Sequence, residues 1–171
     1  MVSDELQQLL LKYCEPEDQL LQHIDRETNL KVLLPRMLSG HYQGRVLSML
    51  SKMISPKRIL EVGTFTGYAT LCLAEGLTED GIIYTLDINA ELEDMVRENF
   101  AKSPLNSKIK YTIGDAQESL RGRPRNDLVA CGLALSRQHV EGAHRLSAQA
   151  GQRPHLLADQ APAAADSFET W

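Results

Sequence analysis

The residues best equipped for chemistry lie between positions 61 and 117. Glu61-Val62-Gly63-Thr64-Phe65-Thr66-Gly67 leaves a short aliphatic run, Arg58-Ile59-Leu60-Glu61-Val62, and enters a helical pattern. Glycines at 63 and 67 let the backbone bend sharply and approach a ligand with no Cβ in the way, and the start of the following helix offers unpaired N–H groups. Asp87 lies 20 residues beyond Gly67, at the end of a second apolar run. A carboxylate there can accept hydrogen bonds from both hydroxyls of a ribose. Gly114-Asp115-Ala116-Gln117 follows a third run, which sets it against an adenine edge in the crevice beyond the strand ends.

Two ligand classes fit a glycine bend followed by a ribose acid. A dinucleotide site takes G-x-G-x-x-G, whose second glycine lets the pyrophosphate come close. Phe65 stands at that position, which disfavours NAD and a nucleotide-dependent oxidoreductase. The pattern E-x-G-x-x-x-G suits a nucleoside with a zwitterionic amino-acid tail and no phosphate, a description that fits S-adenosylmethionine.

Positioning these loops requires a parallel sheet. Runs at 58–62, 82–87 and 108–113 read as strands, with helical patterns at 68–77 and 91–103 between them. The βαβαβ alternation predicts an α/β, Rossmann-like, doubly wound, mostly parallel sheet. Three helices are expected before it. Leu6, Leu9, Leu10 and Tyr13 share a face of the first. The second opens with Pro16 in its first turn and carries Leu20, Leu21 and Ile24. In the third, capped by Ser39, the apolar stripe is Val46, Leu47, Leu50 and Ile54, with Met49 and Met53 as core filler. The organisation expected is a helical cap at 1–56, a cofactor-binding core at 57–120 and a divergent segment at 121–171, forming one structural domain.

Composition narrows the partners. The 171 residues carry a net charge of −5, so neither nucleic acid nor an anionic membrane is attracted and a small molecule is the expected partner. No run approaches the length of a membrane span, and the acidic start lacks the basic region of a signal peptide, which predicts a cytoplasmic chain. Cys14, Cys72 and Cys131 are read as buried free thiols. His23, His41, His139, His144 and His155 show no ligand spacing, and Arg121, Arg123 and Arg125 read as a solvated loop.

The last 51 residues differ in kind. They contain no Ile, Lys, Tyr or Met, against 8, 7, 5 and 5 in the first 120, and they hold 10 Ala and 6 Arg. The missing residues have AT-rich codons, so a shifted reading frame, an alternative terminus or a natural low-complexity tail would each produce the change. Strand candidates within it are 127–131 and 155–158.

Taken together, the segments 35–44, Ile59-Leu60-Glu61-Val62-Gly63-Thr64-Phe65-Thr66-Gly67-Tyr68-Ala69, Tyr84-Thr85-Leu86-Asp87 and Ile113-Gly114-Asp115-Ala116 resemble the catechol and caffeoyl-CoA type O-methyltransferases, particularly their small bacterial members, over residues 1 to about 120. The resemblance implies methyl transfer from S-adenosylmethionine to a hydroxyl of a small molecule, and a homodimer. It implies that Met37 borders the cofactor, that Glu61, Gly63 and Thr64 line its methionine end, that Asp87 holds the ribose and that Asp115 with Ala116 flanks adenine. Gly67, Tyr68 and Ala69 complete the set, with Ala69 standing where relatives usually have serine. A divalent cation, Mg²⁺, is also implied. Aligning Asp127-Leu128-Val129 with the family's fourth strand puts Gly132, Ala134 and Leu135 where the family has its two aspartates and a lysine. Asp159 remains as the one metal ligand, with Gln160 beside it. Alternative readings are a catalytically defective S-adenosylmethionine-binding protein and a tRNA hydroxyl methyltransferase.

Overall fold

The computed structural model describes residues 9, 12–119, 128–131 and 155–158. The helices are α1 (Gln19–Lys31), α2 (Gly40–Ile54), α3 (Tyr68–Ala74), α4 (Glu93–Ala101) and α5 (Ala116–Ser119). The strands are β1 (Arg58–Val62), β2 (Ile82–Asp87), β3 (Ile109–Ile113), β4 (Leu128–Cys131) and β5 (His155–Ala158). All strand pairs are parallel, in the order β3-β2-β1-β4-β5. The strands agree with the sequence to within a residue, and β5 matches its expected bounds.

The strand order reverses between β1 and β4, and ligands of open parallel sheets settle at such a point, beyond the carboxyl ends of the strands. Register makes those ends level: Val62 pairs with both Leu86 and Cys131, and Asp87 pairs with Ile113. The chain segments leaving β1, β2 and β3 therefore start from one rim.

Ile59, Ile83, Leu71, Leu73, Val96 and Phe100 form the centre of the core, joined by Leu21 and Ile24 of α1. Helix α4 buries Val96, Asn99 and Phe100, one face at helical spacing. Phe100 meets Tyr111 of β3 edge to face at 5.8 Å, and the Arg97 guanidinium lies 5.3 Å from the centre of that ring.

Several local expectations need correction. Helix α2 buries Gly44, Ser48 and Ser51 rather than its apolar stripe. Its backbone lies so close to α3 that a Cβ on Gly44 would meet the Tyr68 ring and the Cys72 sulfur, and only small residues permit that approach. Val46, Leu47, Leu50 and Ile54 are half-buried, while Met49 and Met53 are 52% and 75% exposed and do not fill the core. Ser39 makes no side-chain capping bond. In α1 the cap is Asp18, which accepts from the Leu20 N–H at 2.8 Å, so Pro16 precedes the helix. Leu9 and Tyr13, expected on an apolar face, are exposed, and Leu6 and Leu10 lie outside the described residues. Helix α3 stops at Ala74, and α4 is shorter than expected because Ala90–Leu92 forms a 3₁₀ turn.

The α2–α3 contact is closed by a polar clamp. Glu75 accepts from Arg45 at 2.6 Å, Ser48 at 2.7 Å and Lys52 at 2.9 Å. Burial opposes its ionisation, yet these donors outweigh it and hold the carboxyl below its ordinary range. Cys72 is buried beneath the clamp, and its thiol is pushed up to about 12, chiefly by desolvation. Cys14 is only half-buried, and the side chain of Cys131 lies outside the described residues.

Candidate functional site

The bend after β1 is built as the glycines require. Gly63 (φ 97°) and Gly67 (φ 87°) are left-handed, a region open to residues without a Cβ. Gly63 donates its N–H to the Leu86 carbonyl at 2.8 Å, and Gly67 donates to Thr64 at 2.9 Å. A Cβ on Gly67 would lie 2.5 Å from the Phe100 ring. Phe65 is left-handed too, at φ 52°. Its N–H donates to Asp87 Oδ2 at 2.7 Å, while the Asn89 N–H donates to Asp87 Oδ1 at 2.9 Å. The glycine bend and the acid at the end of β2 thus meet directly.

The third loop joins them. Gly114 donates to the Asp87 carbonyl at 2.8 Å. Asp115 is exposed and caps α5 through Oδ1, which accepts from the Glu118 N–H at 2.9 Å. Ala116 opens that helix. Met37 ends a 3₁₀ turn, Pro35–Met37, entered through a left-handed Leu34, and is half-buried.

Beneath the bend lies a buried cluster that sequence reasoning largely missed. Glu61 is 2% exposed, and its Oε2 accepts from the hydroxyls of Thr70 and, at 2.6 Å, Thr85. The Thr85 hydroxyl has one proton, so Thr64, 2.6 Å away, must donate to it. The Thr28 hydroxyl of α1 gives its one proton to the Ile24 carbonyl at 2.7 Å and accepts from the Thr66 hydroxyl at 2.9 Å, and Asn99 of α4 donates to the Thr66 carbonyl at 3.1 Å. The one available signal was Thr85, a polar residue inside an otherwise apolar strand. Tyr68 is 1% exposed, and its hydroxyl donates to Glu17, so its ring serves the contact between α3 and the N-terminal helices. Ala69 is half-buried in the first turn of α3.

Glu61 is pushed up to about 7, first by desolvation and also by the Asp87 charge, against the lowering effect of the Thr70 and Thr85 hydroxyls. Below its ordinary 4.5 the carboxyl is neutral in both folded and unfolded chains. Between 4.5 and about 7 the unfolded chain ionises while the folded chain keeps its proton, so this group's contribution to stability falls as pH rises through that window. The fall is on the order of 3 kcal/mol. Urea denaturation across the window should show that Glu61→Gln removes this slope; identical pH profiles for both proteins would overturn the assignment.

Among the described residues no group of three or more His, Cys, Asp or Glu could hold a metal ion. Asp159 lies outside the described residues. His23 is exposed and lies 3.2 Å from the Lys102 ammonium, and His41 contacts the Glu15 carbonyl. No described helix is long and apolar enough to cross a membrane.

A level parallel rim with a glycine bend, a tethered acid and a third loop defines a Rossmann-like α/β domain. The chain belongs to the O-methyltransferase family, whose model matches residues 12–127. It is 36% identical over 89 residues to a caffeoyl-CoA O-methyltransferase of Stellaria longipes, covering 52% of this chain and 35% of that protein. To a catechol O-methyltransferase of Mycobacterium tuberculosis it is 30% identical over 87 residues, covering 51% and 40%. The chain therefore spans well under half the length of these curated relatives. Among solved structures, the O-methyltransferase from Bacillus cereus in complex with SAH superposes with a TM-score of 0.74 at 26% identity, covering 83% of this chain and 67% of that one. An SAH-bound methyltransferase of Podospora anserina shares the fold, with a TM-score of 0.82 at 22% identity.

Proposed function

We propose that the crevice over β1, β2 and β3 binds S-adenosylmethionine, and that the protein's reaction is methyl transfer to a hydroxyl of a catechol-like or caffeoyl-like small molecule. The observation that carries this reading is the direct bond between the bend and the acid, Phe65 N–H to Asp87 Oδ2 at 2.7 Å. It leaves each carboxylate oxygen with a lone pair for a ribose hydroxyl. Asp115 and Ala116 would flank adenine, with Met37 at the border. Gly63, Gly67 and the main chain of Thr64, Tyr68 and Ala69 would line the methionine end, with Glu61 below them.

The bound cofactor would supply a sulfonium methyl open to in-line attack by an oxygen nucleophile. The chain's own part is to orient and to shield. Asp87 fixes the sugar, the glycine bends admit the tail, and the buried hydroxyls around Glu61 hold the floor rigid.

The acceptor side does not fit a hard cation. Mg²⁺ takes several oxygen ligands in octahedral geometry. The residues after β4 are Gly132-Leu133-Ala134-Leu135, with no oxygen-bearing side chain, and those after β5 begin Asp159-Gln160. No step is therefore assigned to a metal, and this donor set favours a second reading, cofactor binding without turnover.

Calorimetry with S-adenosylhomocysteine, paired with a methyl-transfer assay on a catechol with and without Mg²⁺, separates the two. Saturable one-to-one binding with transfer supports the first reading, and binding without transfer supports the second. Absence of binding rejects both.

A further inference from the structure

The Asp87 carboxylate is held by two main-chain donors of different origin. Asn89 is its neighbour two residues on and would hold any turn of this kind. Phe65 belongs to another loop, 22 positions away in sequence. A carboxylate anchored only by the local bond keeps freedom to rotate about its last side-chain torsion, which is broad. The second bond, on the other oxygen, fixes the carboxylate plane relative to the glycine bend.

Making that bond requires an unusual backbone. Phe65 sits at φ 52°, a region that L side chains disfavour and glycine enters freely. Gly63 and Gly67 on either side supply glycine where the bend is left-handed, so the strain at 65 falls on the one residue whose N–H reaches the acid. Strained conformations persist when the surroundings over-determine them. Here the Gly63–Leu86 and Gly67–Thr64 bonds and the Asn99–Thr66 bond hold the bend from both sides.

We propose that the Phe65 main-chain N–H is a positioning group that sets the Asp87 carboxylate for a cis-diol, so that the site selects ribose over deoxyribose. The inference rests on the cofactor reading above and deepens it. With one lone pair on each oxygen taken by protein, one on each remains for the ligand, and two adjacent hydroxyls fill both while a 2′-deoxy sugar leaves one empty.

The test compares binding of S-adenosylhomocysteine and its 2′-deoxy analogue by calorimetry in four proteins. The unaltered chain should prefer the ribose form by about tenfold or more, the usual scale for a hydrogen bond to a charged group. Phe65→Gly and Phe65→Ala keep the N–H and should keep that ratio. Phe65→Pro has no N–H and cannot adopt a positive φ, so its ratio should fall towards one. An equal loss for both ligands in Phe65→Pro, with the ratio intact, would show a merely structural role and overturn the proposal. Should Phe65→Pro fail to fold, amide NMR of the unaltered protein decides. The Phe65 and Asn89 N–H resonances should both move upfield in Asp87→Ala, as each loses its carboxylate acceptor. A Phe65 amide resonance unmoved in Asp87→Ala would refute the inference. An unaltered chain that binds neither ligand would instead refute the cofactor reading on which it stands.

Discussion

Replacing Asp87 by alanine is expected to weaken S-adenosylhomocysteine binding by about a hundredfold, equivalent to about 2.7 kcal/mol. Both oxygens of the carboxylate are tethered by protein N–H groups, those of Phe65 and Asn89, while the Asp87 main-chain carbonyl accepts from Gly114 at the start of the third loop. Removal of the carboxylate takes away two charge-assisted acceptors from the ligand and leaves the Phe65 and Asn89 N–H groups without their partner. The fold should survive, because Asp87 is half-buried at a strand end and the Gly63–Leu86 and Gly114–Asp87 bonds run through main-chain atoms. Calorimetry beside a thermal melt checks this. Binding within threefold of the unaltered protein, in a chain that melts normally, would remove Asp87 from the site.

The largest effect on stability is expected at Gly76. A Cβ there would come closer than 3.0 Å to the Ser51 carbonyl carbon and the Lys52 nitrogen, both main-chain atoms of α2. No side-chain rotation can relieve that overlap, so α2 and the end of α3 would have to separate. Separation would strain the Ser51 hydroxyl bond to the Leu73 carbonyl, 2.6 Å, and the clamp on Glu75. Overpacking of a close interior commonly costs 1–3 kcal/mol, and a main-chain clash belongs at or above ~3 kcal/mol. Gly81→Ala is the control, because its Cβ would press on the Leu77 side chain and the Thr78 carbonyl only at 3.0 Å. Urea denaturation should show Gly76→Ala losing far more than Gly81→Ala; comparable losses would refute the argument.

The parallel sheet and the rim were legible because strand and helix periods alternate sharply between 58 and 113, and because glycines and a strand-end acid mark a bend and its partner by residue type. The face of α2 was not legible. Hydrophobic patterning puts large apolar residues inside, whereas close helix approach selects Gly44, Ser48 and Ser51, which carry little hydrophobic signal. The hydroxyl cluster around Glu61 was visible only through Thr85, since Thr64 and Thr70 are ordinary loop and helix residues until the fold brings them within reach of one carboxylate. The bond from Phe65 is made by main chain, and no side-chain type announces it. Tyr68 was read beside the cofactor because its position in the motif says so, but its hydroxyl turns towards Glu17.

The Thr28–Thr66 hydroxyl pair has a kinetic corollary. Both side chains are wholly buried, and the pair rivets the last turns of α1 to the bend that carries the site. Lifting α1 would take the partner from the Thr66 hydroxyl, at about 1–3 kcal/mol while that hydroxyl stays buried, whereas Thr28 keeps its bond to the Ile24 carbonyl of its own helix. The helix and the bend therefore travel as one piece.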